Sequence, residues 1–162
     1  MITISDSSPI IGLSMINRLY FLKKLYNEIT IPTAVFQEIT EAGDDAPGAR
    51  DVKESNWIKV KPLVNVALAN QLPKKLDRGE SEAIALSLEL HADLLVIDER
   101  RGRSVARLMG INIVGVGGIL VKSKEAGLTE KVKPLIDQLI NGTPFRISKD
   151  VVAHTLELAG ES

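Results

Sequence analysis

Residues 76–109 read LDRGESEAIALSLELHADLLVIDERRGRSVARLM. The stretch parses as helix, turn, buried strand, acidic end and basic helix. The first helix starts near Gly79 and holds Glu80 and Glu82 in its first turn. Behind them Ala83, Ile84, Ala85, Leu86, Leu88 and Leu90 make it apolar nearly all round, so it must be covered on more than one side. His91-Ala92-Asp93 turns the chain. Leu94-Leu95-Val96-Ile97 then shows no alternation, as expected of a parallel strand buried on both faces. Asp98 ends that strand. Open parallel sheets bind ligands beyond the carboxyl ends of their strands, which is where chemistry is to be sought.

Outward from this stretch the same grammar repeats. Met1 to Ser5 is β-prone and ends on Asp6; Ser8 suits an N-cap and Pro9 a first helical position. Helix is predicted in two pieces to Leu25, and a second strand over Glu28 to Ile31. A helix from Pro32 and Thr33 to Thr40 follows, with Val35, Phe36 and Ile39 on one face and Glu38 at its edge. Tyr20, Phe21 and Tyr26 are expected in the core. Residues 41–56 read as a loop with a short polar helix, and Val66 to Leu72 as a short helix. Trp57 to Val60 is an alternating strand, hence near a sheet edge. A fifth strand over Asn112 to Val114 leads into a helix from Gly115 to Ala126. Two closing helices, Val132 to Ile140 and Lys149 to Leu158, are separated by Gly142 and Pro144.

Alternating strands and helices imply a three-layer α/β/α fold with a mostly parallel five-stranded sheet. One domain over 1–162 is expected, with a helical extension from about 128 to 162. The two strands that end in Asp become neighbours if the winding reverses between them, and that reversal opens a crevice.

Composition narrows the setting. A net charge of −1 advertises no global field for nucleic acid, so any such binding is local. Zero cysteines exclude disulfides and thiolate-bound zinc. No apolar run has membrane-spanning length and no signal-peptide layout opens the chain, so a cytoplasmic location without membrane contact is expected.

Asp6, Glu38, Glu80, Glu82 and Asp98 are the candidate site acids. Asp77 and Glu80 also fit a capping box, and Asp6 and Asp98 could each cap the helix that follows. Two carboxylates about 4 Å apart repel by about 4 kcal/mol at an effective dielectric near 20. A cluster of them calls for a hard divalent cation such as magnesium or manganese. Such an ion activates water for displacement at phosphorus.

SDSSPII, IPTAVFQEI, GESEAIAL and LLVIDERRGRSVA, taken in order, resemble the PIN domain, and most closely its prokaryotic stand-alone branch. The resemblance covers nearly the whole chain. It implies a metal-dependent nuclease acting on RNA, often the toxin of a toxin–antitoxin pair with a small antitoxin protein as partner. By that resemblance Asp6, Glu38, Glu82 and Asp98 are the four catalytic, metal-holding acids, and Glu80 is the extra acid of flap-type relatives. Ser7 and Ser8 stand where the family often carries Thr-Asn or Thr-Ser. Many members have Asp at the third acid; Glu82 is longer, which leaves the number of metals open.

Arg100, Arg101 and Arg103, with Arg107, follow Asp98 and suit either RNA phosphates or a solvated helix face. Gly115-Val116-Gly117-Gly118 lacks the last glycine of a dinucleotide loop, since Leu120 stands there, and reads as a tight turn. A phosphatase with D-x-D on its first strand is disfavoured by Asp6-Ser7-Ser8. The remaining alternative is a catalytically silent module that binds nucleic acid or protein. The apolar content of the closing helices points to a homodimer.

Overall fold

The computed structural model describes residues 1–161; Ser162, the last residue of the expected domain, lies outside the described residues. The five strands are β1 (Thr3–Ser5), β2 (Ile29–Pro32), β3 (Ile58–Lys61), β4 (Leu94–Val96) and β5 (Ile113–Val114). All pairings are parallel, in the order β3-β2-β1-β4-β5. The helices are α1 (Ser7–Met15), α2 (Tyr20–Tyr26), α3 (Thr33–Thr40), α4 (Ala49–Glu54), α5 (Val66–Gln71), α6 (Arg78–Glu89), α7 (Arg100–Leu108), α8 (Val116–Glu125), α9 (Lys133–Gly142) and α10 (Lys149–Leu158). The α/β fold read from the sequence is the one observed, and the alternating strand does sit at the edge.

Alternation along the central strands feeds two cores. Ile4, Leu95 and Ile97 meet Leu76, Ala83, Ile84 and Leu86 of the α6 segment and Val105 and Ala106 of α7. Ile29, Ile31, Val96 and Val114 meet Ile10 and Leu13 of α1, Phe21 and Leu22 of α2, Ile119 and Leu120 of α8, and Leu135, Ile136 and Leu139 of α9. Strand β4 packs Leu95 into one core and Val96 into the other, which explains the unbroken apolar run at residues 94–97.

Three details depart from the sequence reading. Helix α1 begins at Ser7 with Asp6 at its N-cap position, so Ser8 lies inside the helix rather than capping it. Strand β4 ends at Val96, leaving Asp98 two residues beyond. Tyr20 is 46% exposed, because it opens α2 on the side away from the core and only lays its ring against the edge of buried Phe21, with centroids 5.0 Å apart.

The winding runs outward from β1 through β2 to β3, then crosses back to β4. The first and fourth strands are therefore adjacent, with Ser5 opposite Val96, and the N–H of Asp6 extends the ladder to the Val96 carbonyl at 2.9 Å. The reversal falls where the two aspartates leave the sheet.

Candidate active site

Asp6 leaves the central strand of the sheet and is 2% exposed. Although it occupies the N-cap position, its side chain makes no capping hydrogen bond, and Oδ1 is fully buried without a partner. Removal from water pushes its carboxyl up from the ordinary 3.8 to about 8; the Ser7 backbone N–H pulls the other way, and the charges of Asp77, Glu38 and Glu80 add to the rise. A buried acid with one oxygen unpartnered and three other acids beside it is what a site awaiting counter-charge looks like.

Glu38 arrives from α3, which starts directly after β2. Ser7 Oγ donates to its Oε2 at 2.6 Å. Its carboxylate lies against Gly79 at the start of α6, where a Cβ would collide with Oε1. Burial raises its pKa, Asp77 adds to the rise, and the Ser7 hydroxyl and the Gly79 N–H oppose it.

Glu80 is completely buried and serves two partners. The capping box is realised: Asp77 accepts from the Glu80 N–H at 2.8 Å, and Glu80 Oε1 accepts from the Asp77 N–H at 3.1 Å. Arg101 Nε also donates to Oε1, at 3.0 Å, and the same guanidinium approaches Asp77 at 3.7 Å. Oε2 stays buried and unpartnered, packed against Gly102 of α7. Burial raises the Glu80 pKa while Asp77 N–H and Arg101 oppose it.

Glu82 and Asp98 turn elsewhere. Glu82 Oε1 accepts from the Ala34 N–H at 3.0 Å, at the N-terminus of α3, and Oε2 accepts from Arg78 Nε at 3.3 Å. Asp98 does not cap α7, whose N-cap position is Glu99. It reaches across to α8, where Oδ1 accepts from the Val116 N–H at 2.9 Å; Oδ2 is buried without a partner. Burial pushes Asp98 up to about 6, against the Val116 N–H and the charge of Arg103. Gly115 makes this approach possible, since a Cβ there would lie 2.7 Å from Asp98 Oδ1.

The structure thus gathers Asp6, Glu38 and Glu80 into one neighbourhood and adds Asp77, which the sequence offered only as a helix cap. Its place just ahead of Gly79-Glu80-Ser81-Glu82 was the available signal. The basic residues divide as well. Arg101 is spent on Glu80 and Asp77, and Ser7 on Glu38, whereas Ser8, Arg100 and Arg103 line an open groove of about 850 Å³ beside Asp98. Arg103 is half-buried and anchored by donating to the Ile97 carbonyl at 2.8 Å.

The donor set is all carboxylate, which fits a hard cation, and Asp6 Oδ1, Glu80 Oε2 and Asp98 Oδ2 are buried oxygens with unused lone pairs. Among the described residues no three acids form a ready-made cage. Magnesium does not require one, because it commonly keeps several waters and takes one or two carboxylates.

A parallel sheet that reverses at its first strand, with buried acids beyond that reversal, defines an α/β protein of the PIN type. The chain belongs to this family: the model described as PIN domain (DUF3368) matches residues 2–161. PIN domains are generally nucleases acting on nucleic acid and typically use divalent metals. Among solved structures the chain is similar to a PilT N-terminus domain protein from the hyperthermophilic archaeon Sulfolobus solfataricus P2. That likeness has 25% identity and a TM-score of 0.57, over 76% of this chain and 93% of that one. No curated protein matches the chain. No described helix is long and apolar enough to cross a membrane.

Proposed function

We propose that this PIN domain is an endoribonuclease that hydrolyses RNA phosphodiester bonds with a bound magnesium or manganese ion. The observation that carries the reading is Asp6: a buried carboxyl at the central strand end with Oδ1 unpartnered, beside Glu38, Glu80 and Asp77. Asp6 and Glu38 are the residues to hold the ion first, with Glu80, Glu82 and Asp98 completing the set. The chemistry a bound ion supplies is activation of water and neutralisation of charge building on the phosphoryl oxygens. The chain's own residues do the rest. Asp6 would hold the ion as its carboxylate. Ser7 orients Glu38 through its hydroxyl. Arg100 and Arg103 hold phosphate oxygens of the strand in the groove, and Ser8 lines its floor.

The test is cleavage of a structured RNA pool with magnesium or manganese, against Asp6→Asn. The rate should fall by orders of magnitude, because a ligand and its charge are both lost. Equal rates for the two proteins would assign the activity elsewhere.

A second reading, the silent binding module, is favoured by one observation. Glu82 and Asp98 each hold a helix N-terminus, a role that serves the fold without any chemistry. It predicts RNA or protein binding with no turnover in either metal.

The proposal extends to a toxin role with a small antitoxin protein as partner, so that overproduction arrests growth and overproduction of Asp6→Asn does not. It extends also to a homodimer through the closing helices, where Ile140, Val151 and Leu158 are 41%, 49% and 59% exposed. A monomeric mass in sedimentation at tens of micromolar would remove the dimer.

A further inference from the structure

The groove beside Asp98 has a wall that the four sequence motifs do not include. Residues 144–148, between α9 and α10, form its far side, facing α1 and the start of α7. That segment is pinned. Phe145 lays its ring on Gly12 of α1, so closely that a Cβ there would lie 2.7 Å from the ring, and its N–H donates to Thr143 Oγ1 at 3.1 Å. Ile147 packs against the core, and Ser148 caps α10 through the Val151 N–H at 3.2 Å. Arg146, between two anchored neighbours, is exposed and lines the groove opposite Arg100 and Arg103. Among the described residues none of these three arginines takes part in an ion pair, whereas Arg50, Arg78 and Arg101 all do.

We propose that the pinned 144–148 segment supplies Arg146 as a positioning residue. With Arg100 and Arg103 it grips the phosphodiester backbone of a single nucleic-acid strand and lays it across Asp98. The inference rests on the nuclease reading for its purpose but not for its test. A groove of about 850 Å³ has the capacity of a small-ligand pocket, which suits a few nucleotides of one strand and not a duplex. The one aromatic ring in the wall is committed to Gly12, so no base-stacking platform is available. Grip must come from phosphate contacts, which are indifferent to sequence and sensitive to salt.

The probes are fluorescein-labelled ten-nucleotide oligouridylate, oligothymidylate of the same length, and a ten-base-pair duplex. Binding is read by anisotropy in chelator, so that nothing is cut. Arg146→Ala should weaken binding of both single strands about tenfold and reduce the slope of log affinity against log salt by about 0.7. Arg146→Lys should keep most of the slope, and Arg50→Ala, a charge loss far from the groove, should change neither quantity. Unchanged affinity and slope in Arg146→Ala would overturn the proposal, as would tighter binding of the duplex than of either strand. An Arg146-dependent grip in a protein that never cleaves RNA would support this inference while sinking the nuclease reading.

Discussion

Replacing Asp6 by Asn should make the metal-free protein more stable at alkaline pH, not less. Asp6 is 2% exposed and its carboxyl is raised from 3.8 to about 8, chiefly by burial. Between those values the folded state holds one more proton than the unfolded chain. Stability is therefore fully present below about pH 4 and is lost as pH rises through 8, at about 1.4 kcal/mol per unit. The whole window is worth on the order of 5 kcal/mol, a large part of the 5–15 kcal/mol typical of a native domain. Asn has nearly the same shape and no titration, so its profile lacks this slope. Glu38 is shifted in the same direction, but it is present in both proteins and cancels in the comparison. The assay is urea denaturation of wild type and Asp6→Asn in chelator at pH 5 and pH 9. At pH 5 the variant should already lead by about 1.5 kcal/mol, and at pH 9 by several kcal/mol more. Manganese should then raise the wild type by binding only its folded state, and raise the variant much less. A wild type that gains on the variant between pH 5 and pH 9 would mean that ionised Asp6 is already satisfied by the fold, and the argument for a site awaiting a cation would fail.

Asp98→Ala should lose about 1 kcal/mol in chelator at acid pH, because the bond to the Val116 N–H holds the start of α8, and the loss should shrink as pH rises through 6 and the wild type must bury an ionised Asp98; an unchanged melting temperature in acid would remove that role. Gly79→Ala should lower RNA cleavage while leaving the fold intact. Alanine gains up to about 1 kcal/mol in a helix, but its Cβ must displace the Glu38 carboxylate, so an unaffected rate would show that Glu38 is not held where activity needs it. Glu161→Gln should cost about 1–2 kcal/mol at neutral pH in thermal melting. Burial acts to raise the Glu161 pKa, yet bonds from the Val132 and Lys133 N–H groups and from Lys124 carry it down to about 2. A depressed folded pKa contributes stability above the unfolded 4.5 and loses it as pH falls toward 2, so the wild-type advantage should vanish in acid.

What could be read from the chain and what could not divides along the range of the interactions. The capping box at Asp77 and Glu80 is local, three residues apart, and was legible because its chemistry needs only a helix start. The adjacency of the two Asp-ended strands was legible only as a condition, that the winding reverse between them, and the strand order meets it. The orientation of Glu82 was not legible. It depends on α3 and α6 packing so that an α6 carboxylate meets the N-terminus of α3, forty-eight residues away in sequence. The local alternative for Asp98 was a cap on its own following helix; its carboxylate serves α8 instead, because the turn at Gly115 brings that N-terminus within reach. The split between Arg101 and Arg100 had the same cause: neighbours in sequence, they point about 100° apart around α7, one toward Glu80 and one toward the groove.

These non-local choices explain why one aspartate is starved and the other is not. Asp6 and Asp98 look alike in sequence, each following a short apolar strand. Asp98 stands beyond β4, next to the edge strand β5; the helix after β5 lends it the Val116 N–H, and Arg103 adds a positive charge. Asp6 stands beyond β1, the middle strand of five, where β2 and β4 close both sides. The helix that follows it gives the Ser7 N–H but no bond from deeper in its first turn, and its remaining neighbours are Glu38, Asp77 and Glu80. The carboxyl held highest, at about 8, is therefore the one the topology deprives of positive partners. If the proposed divalent cation is the partner of this position, supplying it should shift Asp6 from acid to ligand while leaving Asp98 bonded to α8 as before.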